Sequence, residues 1–167
     1  LRYSFFLRFG NMERTILHIN VVNFFVAVAR VVDPSIASYP VGVRASGSRR
    51  VLMDVSSEGR EAGVVRGMTV EAARRKCPDL RVVDPVPSEY RRAEKFLFEQ
   101  AASLSPLAEL AGPGHLFIDL SGTKRLLGPA VDVADSVRKR IKQQCSFDCT
   151  AGLATNRLVS KIATRVI

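Results

Sequence analysis

The sequence predicts an α+β fold, a ferredoxin-like sheet carrying an inserted small α/β lobe. Three observations carry this expectation. From residue 80 onward the apolar pattern reads strand, helix, strand, strand, helix, strand, helix. With an opening strand near residue 15 added, that is the order of a split βαβ sheet. Between the opening strand and residue 85 lies a run of short helices and strands bounded by proline-containing connectors. Finally, 47% of the 167 residues are hydrophobic, enough to bury a core in a chain of this size.

Thr15 to Ile19 is the opening strand, and it leads into Asn20 and Asn23. Residues 23 to 32 (NFFVAVARVV) are apolar at helical spacing and stop at Asp33-Pro34, where a helix cannot continue. Val41 to Ala45 and Arg50 to Val55 are short strands separated by the turn signal Ser46-Gly47-Ser48. Ser56 or Ser57 caps a short helix that Gly63 ends, and Thr69 caps a second, closed by Cys77-Pro78. Leu80 to Val83 is a strand, and Asp84-Pro85-Val86-Pro87 is a rigid connector. Ser88 then caps a long helix through Ser103. Strands follow at Leu107 to Leu110 and His115 to Leu120, a helix from Pro129 to Gln144, a strand from Phe147 to Leu153, and a final helix from Asn156 to Ile167 with no cap.

Twenty-five Lys and Arg against sixteen Asp and Glu leave a net charge of +9. That balance favours a polyanionic partner, nucleic acid ahead of an anionic membrane surface. No apolar run reaches the roughly 18 residues of a membrane span, so no membrane partner is expected. Residues 1–11 lack the small-residue cleavage site of a signal peptide and are set aside as an extension before Met12. The three cysteines, Cys77, Cys145 and Cys149, form no paired metal pattern and read as reduced thiols in a cytoplasmic protein.

Several collinear strings resemble the N-terminal half of the Y-family (translesion) DNA polymerases, the UmuC and DinB type. The opening strand with Phe24-Phe25 is similar to their acid-x-x-x-aromatic-aromatic motif. Asp33-Pro34-Ser35 with Tyr39-Pro40-Val41 is similar to N-P-[SA]…P-V, and Glu58-Gly59-Arg60-Glu61-Ala62-Gly63-Val64, Gly67-Met68 and Cys77-Pro78 to E-A-R-x-x-G-V…G-M…C-P. Ala151-Gly152-Leu153-Ala154, Asn156 and Ser160-Lys161-Ile162-Ala163 resemble a late motif, G-[IV]-[SA]-x-N-K-x-x-A-K-[IL]-A. The resemblance implies a polymerase palm from residues 12–23 and 86–167 and fingers from 24–85, with the family's thumb and little finger absent.

The resemblance also shows where the pattern breaks. In the family, acidic residues hold two divalent metals, and phosphoryl transfer depends on that positioning and charge neutralisation. The position of the first acid is Asn20. The turn that carries the other two reads Gly112-Pro113-Gly114-His115-Leu116, anchored by Phe117-Ile118-Asp119-Leu120-Ser121 downstream. An amide, a glycine and a histidine thus stand at the degenerate catalytic positions Asn20, Gly114 and His115. Magnesium favours carboxylate and phosphate oxygens, so no cofactor is expected. Mg²⁺ enters only in an alternative reading in which an active nucleotidyltransferase has moved its metal ligands, to Asp119 and Asp54. Asp119 shares the face of His115 but sits about 13 Å further along the strand, and its plain reading is a structural carboxylate. His18 approaches His115 if their strands pair, as a hydrogen-bonded pair rather than a metal site.

The resemblance further implies nucleotide contacts from Phe24, Phe25, Arg60 and Lys161. Packing of the first helix is the competing reading for one of the two phenylalanines. Asp54 and Ser57 stand where the family has residues that touch phosphates, and an aspartate there repels a triphosphate. Basic runs remain at Arg44, Arg49 and Arg50, at Arg74-Arg75-Lys76, and at Arg138, Lys139, Arg140 and Lys142, the last read as the DNA-binding set. The expected function is a non-catalytic polymerase relative in DNA repair or translesion synthesis that binds DNA, or a polymerase or repair-protein partner. An interaction-only module or part of a longer polymerase is the remaining alternative.

Overall fold

The computed structural model describes residues 14–47 and 50–165. The chain divides into two compact units, residues 1–22 with 92–167 and residues 23–91. The second break between these units comes at residues 91–92, a few residues beyond the palm and fingers boundary expected near residue 85. The extension at 1–11, Arg49 and residues 166–167 lie outside the described residues, and the last helix, expected to run to Ile167, ends at Ala163.

The first unit is a four-stranded antiparallel sheet in the order β5-β6-β1-β7. Its strands are β1 (Ile16–Val21), β5 (Ala108–Gly112), β6 (His115–Asp119) and β7 (Cys149–Ala154). Counted from the first strand of the unit, that order is the ferredoxin-like arrangement. Helices α4 (Pro87–Ala102) and α6 (Ala130–Cys145) form its two crossovers, and α7 (Arg157–Ala163) follows β7. A short helix, α5 (Lys124–Leu127), was not expected, because four residues give too little period to read.

Strand alternation splits the sheet into two faces. Leu17 and Ile19 with Leu116 and Ile118 are fully buried on one face. α6 packs against β7 and β1 and buries Val133, Ala134, Val137 and Ile141; α4 buries Leu97 and Ala101. The other face carries Ile16, His18 and Asn20 of β1. Directly opposite them stand Asp119, Phe117 and His115 of β6 and Ala154, Gly152 and Thr150 of β7. α7 lies across this face, so close at Gly152 that a Cβ would stand 2.2 Å from the Ser160 carbonyl oxygen. Only glycine fits there.

The second unit holds α1 (Phe24–Val32), a 3-10 turn (Pro34–Ile36), β2 (Val41–Arg44), β3 (Leu52–Val55), α2 (Ser57–Glu61), α3 (Val70–Lys76) and β4 (Arg81–Val83). Its sheet runs β3-β2-β4, antiparallel between β2 and β3 and parallel between β2 and β4. One cluster buries Leu52, Val55, Val64, Val70, Ala73, Cys77 and Leu80; another buries Val26, Ile36, Val41 and Val43.

Three details depart from the sequence reading. β1 runs on through Val21, so Asn20 lies inside a paired strand rather than beyond its end. Helix α4 starts at Pro87, not after a Ser88 cap; proline suits a first turn that has no use for its missing N–H. The last helix is capped after all, since Val159 N–H donates to Asn156 Oδ1 at 2.9 Å. Elsewhere Ser56 rather than Ser57 caps α2, accepting from Gly59 N–H, and Thr69 caps α3 as expected.

Candidate functional site

Asn20 and His115 lie on the α7 side of the first sheet, with Gly114 in the adjoining turn. Register places Asn20 opposite His115 on one side and Thr150 on the other. Asn20 Nδ2 donates to Thr150 Oγ1 at 3.4 Å. Gly114 sits in the β5–β6 turn with φ at 74°, and its carbonyl accepts from Val21 N–H at 2.9 Å. That left-handed backbone suits glycine and strains most side chains.

Beside Asn20 runs a buried polar chain. His18, wholly buried, has Nε2 3.2 Å from His115 Nδ1 and Nδ1 3.1 Å from Thr164 Oγ1. The Thr164 hydroxyl donates its single proton to the Lys161 carbonyl at 2.7 Å. It must therefore accept from His18 Nδ1–H, which leaves His18 Nε2 to accept from His115 Nδ1–H. The network thus assigns His18 the Nδ1–H tautomer and places a proton on His115 Nδ1. Burial, and after it the charges of His115, Lys161, Arg165 and Arg157, lower the His18 pKa from 6.5 to about 3. His18 is a neutral strut, and the pairing of His18 with His115 is the hydrogen-bonded one.

The carboxylates nearest this face are already engaged. Arg157 holds Glu109 with two bonds, at 2.5 and 2.8 Å, and those bonds keep the Glu109 carboxyl below its usual range. Asp119 accepts from Ser121 N–H at 2.9 Å and pairs with Arg14 at 3.5 Å. Burial raises its pKa, but the Ser121 and Arg14 bonds outweigh that and leave it lowered. Asp119 stands opposite Ile16, four residues along β6 from His115. It is the structural carboxylate of the plain reading. Asp148 pairs with Lys142 at 3.0 Å.

In the second unit, Phe24 is buried and Phe25 half-buried, and both pack edge-on or tilted against Tyr90 and each other. Arg60 is exposed; its Nη1 donates to Asn23 Oδ1 at 2.6 Å and to the Val55 carbonyl at 3.2 Å. Asn23 begins α1 in the left-handed region, with φ at 49°, and its side chain holds Arg60 instead of capping the helix.

Asp54 requires a correction. It does not face a phosphate-binding surface: it is wholly buried, accepting from Val55 N–H at 3.0 Å and Val26 N–H at 3.4 Å and pairing with Arg66 at 2.5 Å. A carboxylate so placed neither repels a triphosphate nor serves as a relocated metal ligand. Among the described residues no group of three or more His, Cys, Asp or Glu is disposed to hold a metal ion. Asn20, Gly114 and His115 supply one amide, no side chain and one imidazole, which does not fit a hard dication.

The basic run on α6 is also more engaged than its sequence suggests. Arg138 is half-buried and its Nε donates to the Cys149 carbonyl at 2.9 Å, which ties α6 to β7. Lys139 pairs with Asp135 at 2.7 Å, Arg140 reaches Gln100 at 3.4 Å, and Lys142 reaches Asp148. Of the four, only Lys139, Arg140 and Lys142 are exposed. The sequence reading missed Thr150, Thr164 and Arg66. Thr150 was readable from the order of a split βαβ sheet, which places its last strand beside its first; the other two depend on packing.

A family model described as the impB/mucB/samB family matches residues 19–165. DNA polymerase IV of Pseudomonas fluorescens is 31% identical over 153 residues, covering 91% of this chain and 43% of the relative. DNA polymerase IV of Ralstonia nicotianae is 28% identical over 152 residues, covering 90% and 43%. The chain thus spans less than half the length of these curated relatives. Among solved structures, DinB from Sulfolobus solfataricus superposes with a TM-score of 0.81 at 19% identity, covering 90% of this chain and 45% of that one. An insertion ternary complex of Dbh DNA polymerase gives 0.82 at 20%, with the same coverage. At those identities the likeness bears on the fold alone. Among the described residues no helix is long and apolar enough to cross a membrane.

Proposed function

Because this chain belongs to the impB/mucB/samB family and matches the N-terminal region of the Y-family polymerases, we propose that it is a palm-and-fingers unit that binds DNA in translesion synthesis without forming phosphodiester bonds. In this reading residues 12–23 and 86–167 are the palm and 24–85 the fingers. Asn20, Gly114 and His115 carry it. Two of them lie on paired strands, with His115 hydrogen-bonded to the neutral His18, and no group of three or more His, Cys, Asp or Glu is disposed to hold a metal ion among the described residues. In-line phosphoryl transfer needs developing negative charge to be neutralised by clamped cations, and an amide with an imidazole cannot assemble two of them.

DNA is the partner that the charge supports, with a net +9 in the chain and Lys139, Arg140 and Lys142 exposed on α6. A polymerase or repair protein is the second partner of this reading, and a damage-response role in the cytoplasm its setting. The test is a labelled primer–template titrated from about 50 to 200 mM salt, with primer extension run in parallel. Binding whose affinity falls steeply with salt, with no extension in magnesium or manganese, is the expected result. Extension that disappears in Lys161→Ala overturns the non-catalytic reading.

A further inference from the structure

The second unit carries an apolar surface at the end of α1 that its own core leaves uncovered. Val31 and Val32 close the helix and are each 49% exposed, and Tyr39, just after the 3-10 turn, is 38% exposed. The same turn buries Ile36, which anchors the segment. Two arginines hold Tyr39. Arg30 Nη2 donates to the Tyr39 carbonyl at 2.9 Å and to Glu58 at 3.1 Å. The Arg81 guanidinium lies over the Tyr39 ring, 4.4 Å from its centroid, and the Arg81 N–H donates to the Pro40 carbonyl at 2.8 Å. The acids nearby are engaged. Asp33 accepts from the Ser35 N–H and hydroxyl at 3.0 and 2.6 Å, Glu58 pairs with Arg30, and Asp84 pairs with Arg44 at 2.7 Å. Arg81 is exposed and has no acidic partner among the described residues.

Exposed aliphatic side chains around a tyrosine and an uncompensated arginine have the composition of a protein-binding patch. We infer that this surface docks a segment of a partner protein in which a carboxylate stands beside an aliphatic or aromatic side chain. The carboxylate pairs with Arg81, whose planar fork takes two carboxylate oxygens. The apolar side chain covers Val31, Val32 and the edge of Tyr39. A nucleic acid fits less well. A base stacks on an open aromatic face, but the Arg81 guanidinium already covers one face of Tyr39, and valines give phosphates nothing to bind. The inference rests on the proposed function only for there being a protein partner, and it gives that partner a contact surface in the second unit.

The probe is a phage-displayed library of short random peptides selected against the whole chain, with the enriched peptides synthesised and titrated by calorimetry. They are expected to share an acidic residue beside an aliphatic or aromatic one. Arg81→Gln is expected to weaken them about tenfold, as the loss of a charge-assisted hydrogen bond. Val31→Ser with Val32→Ser is expected to do the same through lost apolar contact. Arg81→Glu probes the contact without truncation, and peptides selected on it are expected to be basic. A selection that enriches nothing, or enriches peptides without an acidic residue, overturns the inference. So do acidic peptides that bind Arg81→Gln as tightly as the wild type, or that are selected equally on Arg81→Glu. A single-stranded oligonucleotide is titrated in parallel, and binding that is lost in Arg81→Gln and the valine variant while no peptide is enriched replaces the protein with nucleic acid. Primer–template binding is measured on the same samples, so the two readings fail separately. Acidic peptides held at this surface with no primer–template bound keep the inference and remove the DNA-binding reading; primer–template bound with no peptide enriched does the reverse.

Discussion

His18 makes acid stability a direct test of the buried chain. Its folded pKa is about 3 against 6.5 for an unperturbed imidazole, so between those values the unfolded chain binds a proton that the folded chain refuses. The stabilisation is complete above pH 6.5 and is lost as the pH falls towards 3. The reason is visible in the bonds: His18 Nε2 accepts from His115 Nδ1–H, and a second proton on the buried His18 ring would set N–H against N–H. Each pH unit below 6.5 costs about 1.4 kcal/mol, so the change from pH 7 to pH 5 removes about 2 kcal/mol. Urea denaturation followed by circular dichroism at pH 7, 6 and 5 measures it for the wild type and for His18→Gln. The variant starts less stable because the chain is broken, but its stability is expected to fall by about 2 kcal/mol less over the same range. Comparing slopes cancels the carboxylates that begin to titrate near pH 5. Parallel profiles for the two proteins would refute the reasoning, because they would mean that His18 takes up its proton equally in both states.

Three further outcomes follow from single contacts. Gly152→Ala forces a Cβ to 2.2 Å from a backbone oxygen of α7, and neither strand nor helix can give way cheaply. A loss of about 3 kcal/mol, or roughly 6–12 °C in Tm, is expected in calorimetry, and an unchanged Tm would show that α7 does not seat on β7. Arg66→Ala leaves the buried Asp54 carboxylate with backbone donors only. The expected cost is about 1–3 kcal/mol, and a double-mutant cycle with Asp54→Asn should show coupling; strictly additive losses would dismiss the pair. Asn156→Ala removes the α7 cap and should cost about 1 kcal/mol by chemical denaturation, while Asn156→Asp should cost far less.

Most of the element order, the two-part organisation and the offsets of Asn20, Gly114 and His115 from the motif strings are open to a reader of the sequence alone. These are legible because apolar period and turn residues are local signals, and because Asn20, Gly114 and His115 sit at fixed offsets from strings such as Phe24-Phe25 and Phe117-Ile118-Asp119. Helix α5 escaped because its four residues hold only one turn. Asp54 was misread because both faces of β3 are covered, so alternation gives no outward side on which to place a charge. Arg138 looked like a free cation because its partner is a main-chain carbonyl eleven residues on, and carbonyls leave no mark in a sequence. That His18, Thr164 and Lys161 form one chain with His115 emerges from the fold and not from any local pattern. Their link spans up to 146 residues of sequence. It exists because a strand and a helix distant in the chain share one buried face, where any polar group left without a partner is costly.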